Sequence, residues 1–219
     1  MSSPIQVCNL ALSRIGIDQL IEDFNDPNTR ARACNFHYPL AFEQCLQDFP
    51  WNFAQKVVQL ALVDGVTVPG YPYVYRYPVD CLRAHILTDE GGNRGVSRAN
   101  LFRDVWDYDA AGVPMRAWPY VVMADPNTPG ARIIATDLPE AYLWYTADVS
   151  DINQTTALFQ DALAWKVATE ISLVLRADTR LHQNAVSMYG WTVSKAQVHT
   201  QLEGVADAPP VPQTVGVRS

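Results

Sequence analysis

The 219-residue sequence predicts a mainly α fold with a β insert: N- and C-terminal helices form one helical bundle, a β-rich module is inserted between them, and an extended C-terminal tail follows. Three observations predict this. Apolar residues recur at spacings of three and four near both ends of the chain. Between residues 55 and 149 the pattern changes to short β-branched and aromatic runs broken by glycine and proline. The last stretch is small, proline-bearing and nearly uncharged. The segments are residues 1–54 and 150–204 for the helices, 55–149 for the β-rich insert and 205–219 for the tail. Neither helical end can bury its stripe alone, so the two most simply pack on each other.

Element by element, Ser3 is a good N-cap and Pro4 fits a first turn, so residues 3–15 read as a helix with Ile5, Cys8, Leu12 and Ile15 on one face. Gly16 is a natural stop. Residues 17–25 are a loop with an apolar knot at Leu20, Ile21 and Phe24. Asp26-Pro27 repeats the cap-then-proline start, and the second helix should run to about Asp48 with Ala33, Phe36, Leu40, Ala41 and Cys45 facing inward. Pro39 lies inside that pattern and should kink or split it. The strand candidates are 57–63, 71–77, 84–87, 120–123, 131–135 and 141–149; residues 55–62 fit a short helix equally well. Asp125-Pro126-Asn127-Thr128-Pro129-Gly130 is a strong turn signal. A third helix starts near a cap at Asn153 or Thr155 and runs to 176. A fourth covers 179–203, with Leu181, Ala185, Met188, Val193, Ala196 and Leu202 inward and Gly190 weakening its middle by about 1 kcal/mol relative to alanine. The tail 207–219 should be disordered alone and extended when bound.

Composition narrows the function classes. The length suits one domain, or a core plus a large insert. Hydrophobic residues make up 48 % and charged residues 18 %, below the roughly 25 % of average soluble chains, so part of the uncharged surface is expected to meet partners. The net charge is −7, and the span 63–150 is the most acidic, with 7 basic and 11 acidic groups. An acidic chain repels nucleic-acid phosphates, which disfavours a DNA- or RNA-gripping module. No charged n-region precedes an apolar run and no stretch of about 18 apolar residues exists, so neither a signal peptide nor a membrane span is expected.

Searching for reaction chemistry yields no catalytic, cofactor or metal centre. Cys8, Cys34, Cys45 and Cys81 form no CxxC pair; on one helix Cys34 and Cys45 would stand roughly 16 Å apart, too far for a disulfide, so buried free thiols in a reducing compartment are expected. His37, His85, His182 and His199 have no metal-ligand spacing. Gly91-Gly92-Asn93-Arg94-Gly95 lacks the helix that a phosphate loop needs. Ser97, Ser150, Ser172 and Ser194 lack a nucleophile-elbow setting. Asp104, Asp107 and Asp109, or the carboxylates at 137–140, could serve as paired acid and base only inside a cleft that raises one pKa. Aromatics alternating over Tyr71, Tyr73, Tyr75 and Tyr77 fit a core face or a protein interface better than base stacking, because the charge around them is wrong for nucleic acid.

What does stand out is Phe49-Pro50-Trp51-Asn52-Phe53-Ala54, where helical spacing ends and strand-like spacing begins. Three bulky aromatics around a proline make a packed structural corner of Phe49, Pro50, Trp51 and Phe53. Four stretches together then resemble one family: Asn9-Leu10-Ala11-Leu12-Ser13-Arg14-Ile15-Gly16; the Phe49–Ala54 corner followed by Leu60-Ala61; Tyr75-Arg76-Tyr77-Pro78-Val79-Asp80-Cys81-Leu82-Arg83; and Tyr145-Thr146-Ala147-Asp148-Val149 leading through Asp151 and Phe159 into the helix at 162–175. Over residues 3–203 the chain resembles the tail tubular protein A family, the head-to-tail adaptors (connectors) of short-tailed bacteriophages. The resemblance implies a structural virion protein without cofactors: a homo-oligomeric ring of 12 copies between the portal protein and the tail nozzle or tube, with double-stranded DNA passing through its lumen unbound. It implies a place in the phage neck after assembly in host cytoplasm, and portal binding by the tail, through Pro209, Pro210, Val211, Pro212, Val215 and Val217. Pro39 departs from the unbroken second helix the family leads one to expect. The competing expectation is a peptidoglycan-degrading tail component using paired carboxylates.

Overall fold

The computed structural model describes residues 3–89 and 118–202. Among these residues, four α-helices and two small antiparallel sheets make a mixed α/β fold. Helix α1 spans Pro4–Arg14, and its start follows the sequence closely. The Ser3 side chain accepts from Gln6 N while the Gln6 side chain accepts from Ser3 N, a reciprocal capping box, with Pro4 in the first turn. Gly16, with φ of 72°, takes the left-handed conformation that ends the helix. Of the loop knot, Ile21 is buried and Phe24 packs on the core, whereas Leu20 is exposed. Asn9 holds this loop through two hydrogen bonds to the Ile21 backbone, both 2.9 Å.

Helix α2 spans Thr29–Asp48. Its cap is Asn28, which accepts from Ala31 N at 2.8 Å, not Asp26. Asp26 instead accepts from the backbone of Glu22 and Asp23 and stiffens the preceding loop. The helix is not split at Pro39. That residue lies on the exposed side, where the Asn35 carbonyl left without its N–H partner can be hydrated. Helical phase also corrects the inward face. Ala33, Ala41 and Cys45 are buried as expected, but Phe36 is 79 % exposed and Leu40 56 % exposed. Phe42 and Leu46 take the core positions instead.

After the corner come β1 (Gln55–Gln59), β2 (Tyr73–Arg76), β3 (Cys81–Thr88), β4 (Tyr120–Ala124), β5 (Arg132–Thr136) and β6 (Tyr142–Ala147). The stretch that fitted helix or strand equally well is therefore a strand at its start. One sheet has the order β1-β6-β3 and the other β2-β5-β4, all neighbours antiparallel. Strand β5 is buried on both faces: Ile134 joins Tyr75, Leu87, Leu143 and Tyr145 in the larger β core, while Ile133 and Ala135 meet Val66 and Val74 on the opposite side. The Asp125–Gly130 turn forms as expected, with Asn127 N donating to Asp125 Oδ1 at 2.9 Å and Gly130 at φ of 83°. The 90–95 glycine-rich stretch and the 203–219 tail lie outside the described residues.

Helix α3 (Ala157–Arg176) is capped by Thr156, one residue beyond the expected Thr155. Thr155 and Asn153 belong instead to a 3₁₀ turn at Ile152–Gln154, where Asp151 caps Asn153. Helix α4 covers Thr179–Leu202, with Ala185, Thr192 and Ala196 buried and Leu181, Met188 and Val193 half-buried. A single hydrophobic core joins α1, α2, α3 and α4, and α3 packs against the other three helices. Arg14 ties α1 to α3 by an ion pair with Asp161, donates to Asp161 O at 2.8 Å, and lies 4.2 Å from the Trp165 ring centre.

Two measurements check this picture. A Cβ on Gly190 would meet nothing within 4 Å, so Gly190→Ala is expected to stabilise the isolated chain by about 1 kcal/mol in urea unfolding; destabilisation would mean that α4 is not a regular helix there. The half-buried His85 accepts or donates a 2.8 Å hydrogen bond with Thr146 Oγ1, and burial lowers its pKa to about 4. Because the unfolded chain then binds a proton more readily than the folded one, the contribution of neutral His85 is whole above about pH 6.5 and is lost as pH falls towards 4. Unfolding midpoints should drop across that window, and drop less in His85→Gln.

Candidate functional site

The corner foreseen at Phe49–Phe53 is where the chain concentrates its aromatic chemistry. Phe49 adopts the extended backbone that a following proline demands, ending α2. Trp51 N then donates to Phe49 O, and Asn52–Ala54 form a 3₁₀ turn leading directly into β1. The Trp51 indole N–H donates to Cys45 O at 2.8 Å, which satisfies a carbonyl near the end of α2. Trp51 stands edge-to-face with Phe49 at 4.9 Å and with Phe159 at 5.1 Å between ring centres. Phe159 also meets Phe42 at 5.3 Å and Phe53 at 5.2 Å, again edge-to-face. Three segments therefore meet at one ring: the end of α2, the turn before β1 and the first turn of α3. Phe42 and Phe159 were not foreseen as parts of the corner. Phe159 lies more than one hundred positions downstream, and no local pattern joins it to Trp51.

Around this cluster the ionisable groups act as braces. Tyr189 on α4 donates to Asp48 at 2.8 Å; Lys166 lies 3.9 Å from the same carboxylate and 5.3 Å from the Tyr189 ring centre. Burial pushes the Cys45 thiol up to about 12. That disfavours the thiolate a nucleophile or metal ligand needs. In the β part, Asp80 receives Lys56 at 2.7 Å and the Tyr145 hydroxyl at 3.0 Å, and the Lys56 hydrogen bond is the main reason its carboxyl sits below the usual range. Arg83 on β3 donates to Gln47 O on α2 at 2.7 Å, a polar tie between helices and sheet.

The structure places the other candidates as follows. All four cysteines are buried free thiols. Ser172 lies 3.2 Å from His182 Nδ1, a pairing that sequence spacing did not reveal. Its hydroxyl is fully buried and donates to Thr169 O, and the same carbonyl stands 3.1 Å from the imidazole where an orienting carboxylate would be needed. Asp137 and Glu140 are exposed on the turn before β6. Asp104, Asp107 and Asp109 lie outside the described residues, as do the tail positions Pro209, Pro210, Val211, Pro212, Val215 and Val217. Among the described residues no group of three or more His, Cys, Asp or Glu is arranged to hold a metal ion, and no helix is long and apolar enough to cross a membrane.

No family model and no curated protein matches this chain. Its function must therefore be argued from its own surfaces. Large apolar side chains stand in water on several elements: Phe36 and Leu40 one turn apart on α2, Val186, Trp191 and Val198 on α4, Val57 and Val58 on β1, and Val121 and Val122 on β4. Strands β1 and β4 are the outer members of their sheets. Val79, at the turn between β2 and β3, is fully exposed. These groups fall on both the helical and the β parts, a distribution suited to protein contacts.

The corner carries a stability prediction. Trp51→Ala should cost about 3–5 kcal/mol in chemical unfolding. Trp51→Phe, which keeps a ring but leaves Cys45 O unpaired, should cost about 1–3 kcal/mol. Near-neutral values for both would show that the corner does not hold the segments together.

Proposed function

We propose that the chain is a structural subunit of a phage neck: a head-to-tail adaptor of the kind that the tail tubular protein A resemblance implies, forming a ring between portal and tail nozzle or tube. The observation that carries this reading is the division of the core. Residues from both ends of the chain share one helical core, which we read as a bundle, and the span between them builds separate β cores, which we read as the inserted module. Such a layout gives one subunit two differently built ends, one for each neighbour along an axis. The exposed apolar groups on α2 and α4 supply side faces for neighbouring copies, because a closed ring needs two different faces per subunit. The net charge of −7 suits a wall past which DNA moves without sticking. The tail's role in gripping the portal rests on the resemblance.

The test is electron microscopy of the purified chain, alone and mixed with the portal protein of the same phage. A ring of this protein on the narrow end of the portal, 12-fold by expectation, is the predicted result. Monomers that never engage the portal would remove the reading.

A further inference from the structure

We propose that the exposed stripe of α4 around Trp191 and Val198 is a docking site for this chain's own tail, with Pro209 and Pro210 stacked on the Trp191 ring. Trp191 is 58 % exposed and Val198 57 % exposed. Seven positions apart, they share one helix face with Lys195 between them. Lys195 Nζ lies 5.5 Å from the Trp191 ring centre, and His199 is exposed beside Val198. The stripe therefore joins a large aromatic ring, an apolar side chain and a positive charge.

The reach and the charge of the chain beyond α4 identify the occupant. Helix α4 ends at Leu202, and Gly204 follows, a residue suited to a chain that leaves a helix and turns back. An extended segment advances about 3.1 Å per residue, roughly twice the 1.5 Å of an α-helix. A chain returning along α4 from Gly204 therefore passes about two helix residues for each of its own. That register sets Asp207 level with Val198, within reach of Lys195 and His199. It sets Pro209 and Pro210 level with Ser194 and Thr192, beside Trp191. The charges match as well. Over Thr179–Leu202 the sequence of α4 holds no Asp or Glu, whereas residues 203–212 hold the acids Glu203 and Asp207 and no Lys or Arg. The run Pro209-Pro210-Val211-Pro212 favours the polyproline II conformation. Such a segment has little conformational freedom left to lose on docking, and aromatic surfaces are its usual partners. Docked in this way, the tail covers part of the apolar surface of a lone subunit.

This inference is independent of the adaptor reading, and its test needs no portal. The test is nuclear magnetic resonance of the full chain. Cross-peaks between the Trp191 ring and the ring protons of Pro209 or Pro210 are the expected result. The Trp191 indole N–H resonance should then move when Pro209→Ala and Pro210→Ala are combined, a change outside the helical core, and it should hold its position when the unaltered protein is diluted. Absence of the cross-peaks overturns the proposal, as does an indole resonance that ignores the double substitution. An indole resonance that moves on dilution overturns it too, because the cover is then a second copy of the chain.

Discussion

The packing of Phe159 is the constraint on which the rest of this structure depends. Its ring is fully buried and meets Phe42, Trp51 and Phe53 edge-to-face. Remove it, and the end of α2, the entry to β1 and the start of α3 lose their common contact. Edge-to-face aromatic contacts have a preferred geometry, so this junction sets angles as well as adding buried area. The Trp51 N–H bond to Cys45 O completes it by pairing a helix-end carbonyl that would otherwise be buried without a donor. The β strands leave the helices in the direction that this junction permits.

Much of this was legible locally. The Ser3 cap, the Gly16 stop, the Asp125–Gly130 turn and the approximate positions of six strands follow from residue types acting on their own backbone. The errors arose where tertiary phase decided. On α2 the apolar residues do not lie on one face, so the sequence could not tell Phe36 from Phe42; only packing against α3 and the corner assigns Phe42 inward and Phe36 to solvent. Asp26-Pro27 mimicked a helix start, but Asp26 found backbone donors in its own loop and Asn28 capped the helix. The aromatic corner was visible as a cluster, while its central ring, Phe159, arrives from a distant helix and has no local signature.

Chemistry-bearing side chains here mostly serve structure. Burial raises the pKa of the Cys45 thiol, Tyr189 and Lys166 share Asp48, and the buried Ser172 pairs with His182 between α3 and α4. Among the side chains left to solvent are large apolar ones: Phe36, Leu40 and Trp191 on helices, Val57 and Val121 on outer strands. An isolated chain bears the solvation cost of those groups. Removing such groups from water would be favourable.

The tie between Arg14 and Asp161 spans 147 positions. During synthesis, at about 5–20 residues per second, roughly 7–30 seconds pass between the appearance of the first partner and the second. The whole β stretch is made within that interval, and until its end α1 and α2 have no α3 to cover Val7, Leu12, Ala33 and Leu46. Among the described residues the helical core is therefore completed only after the β strands have been made, and its earliest-made surface waits longest for cover. Covering that surface requires closing a long loop, whose chain entropy is lost before any contact between α3 and α1 rewards it.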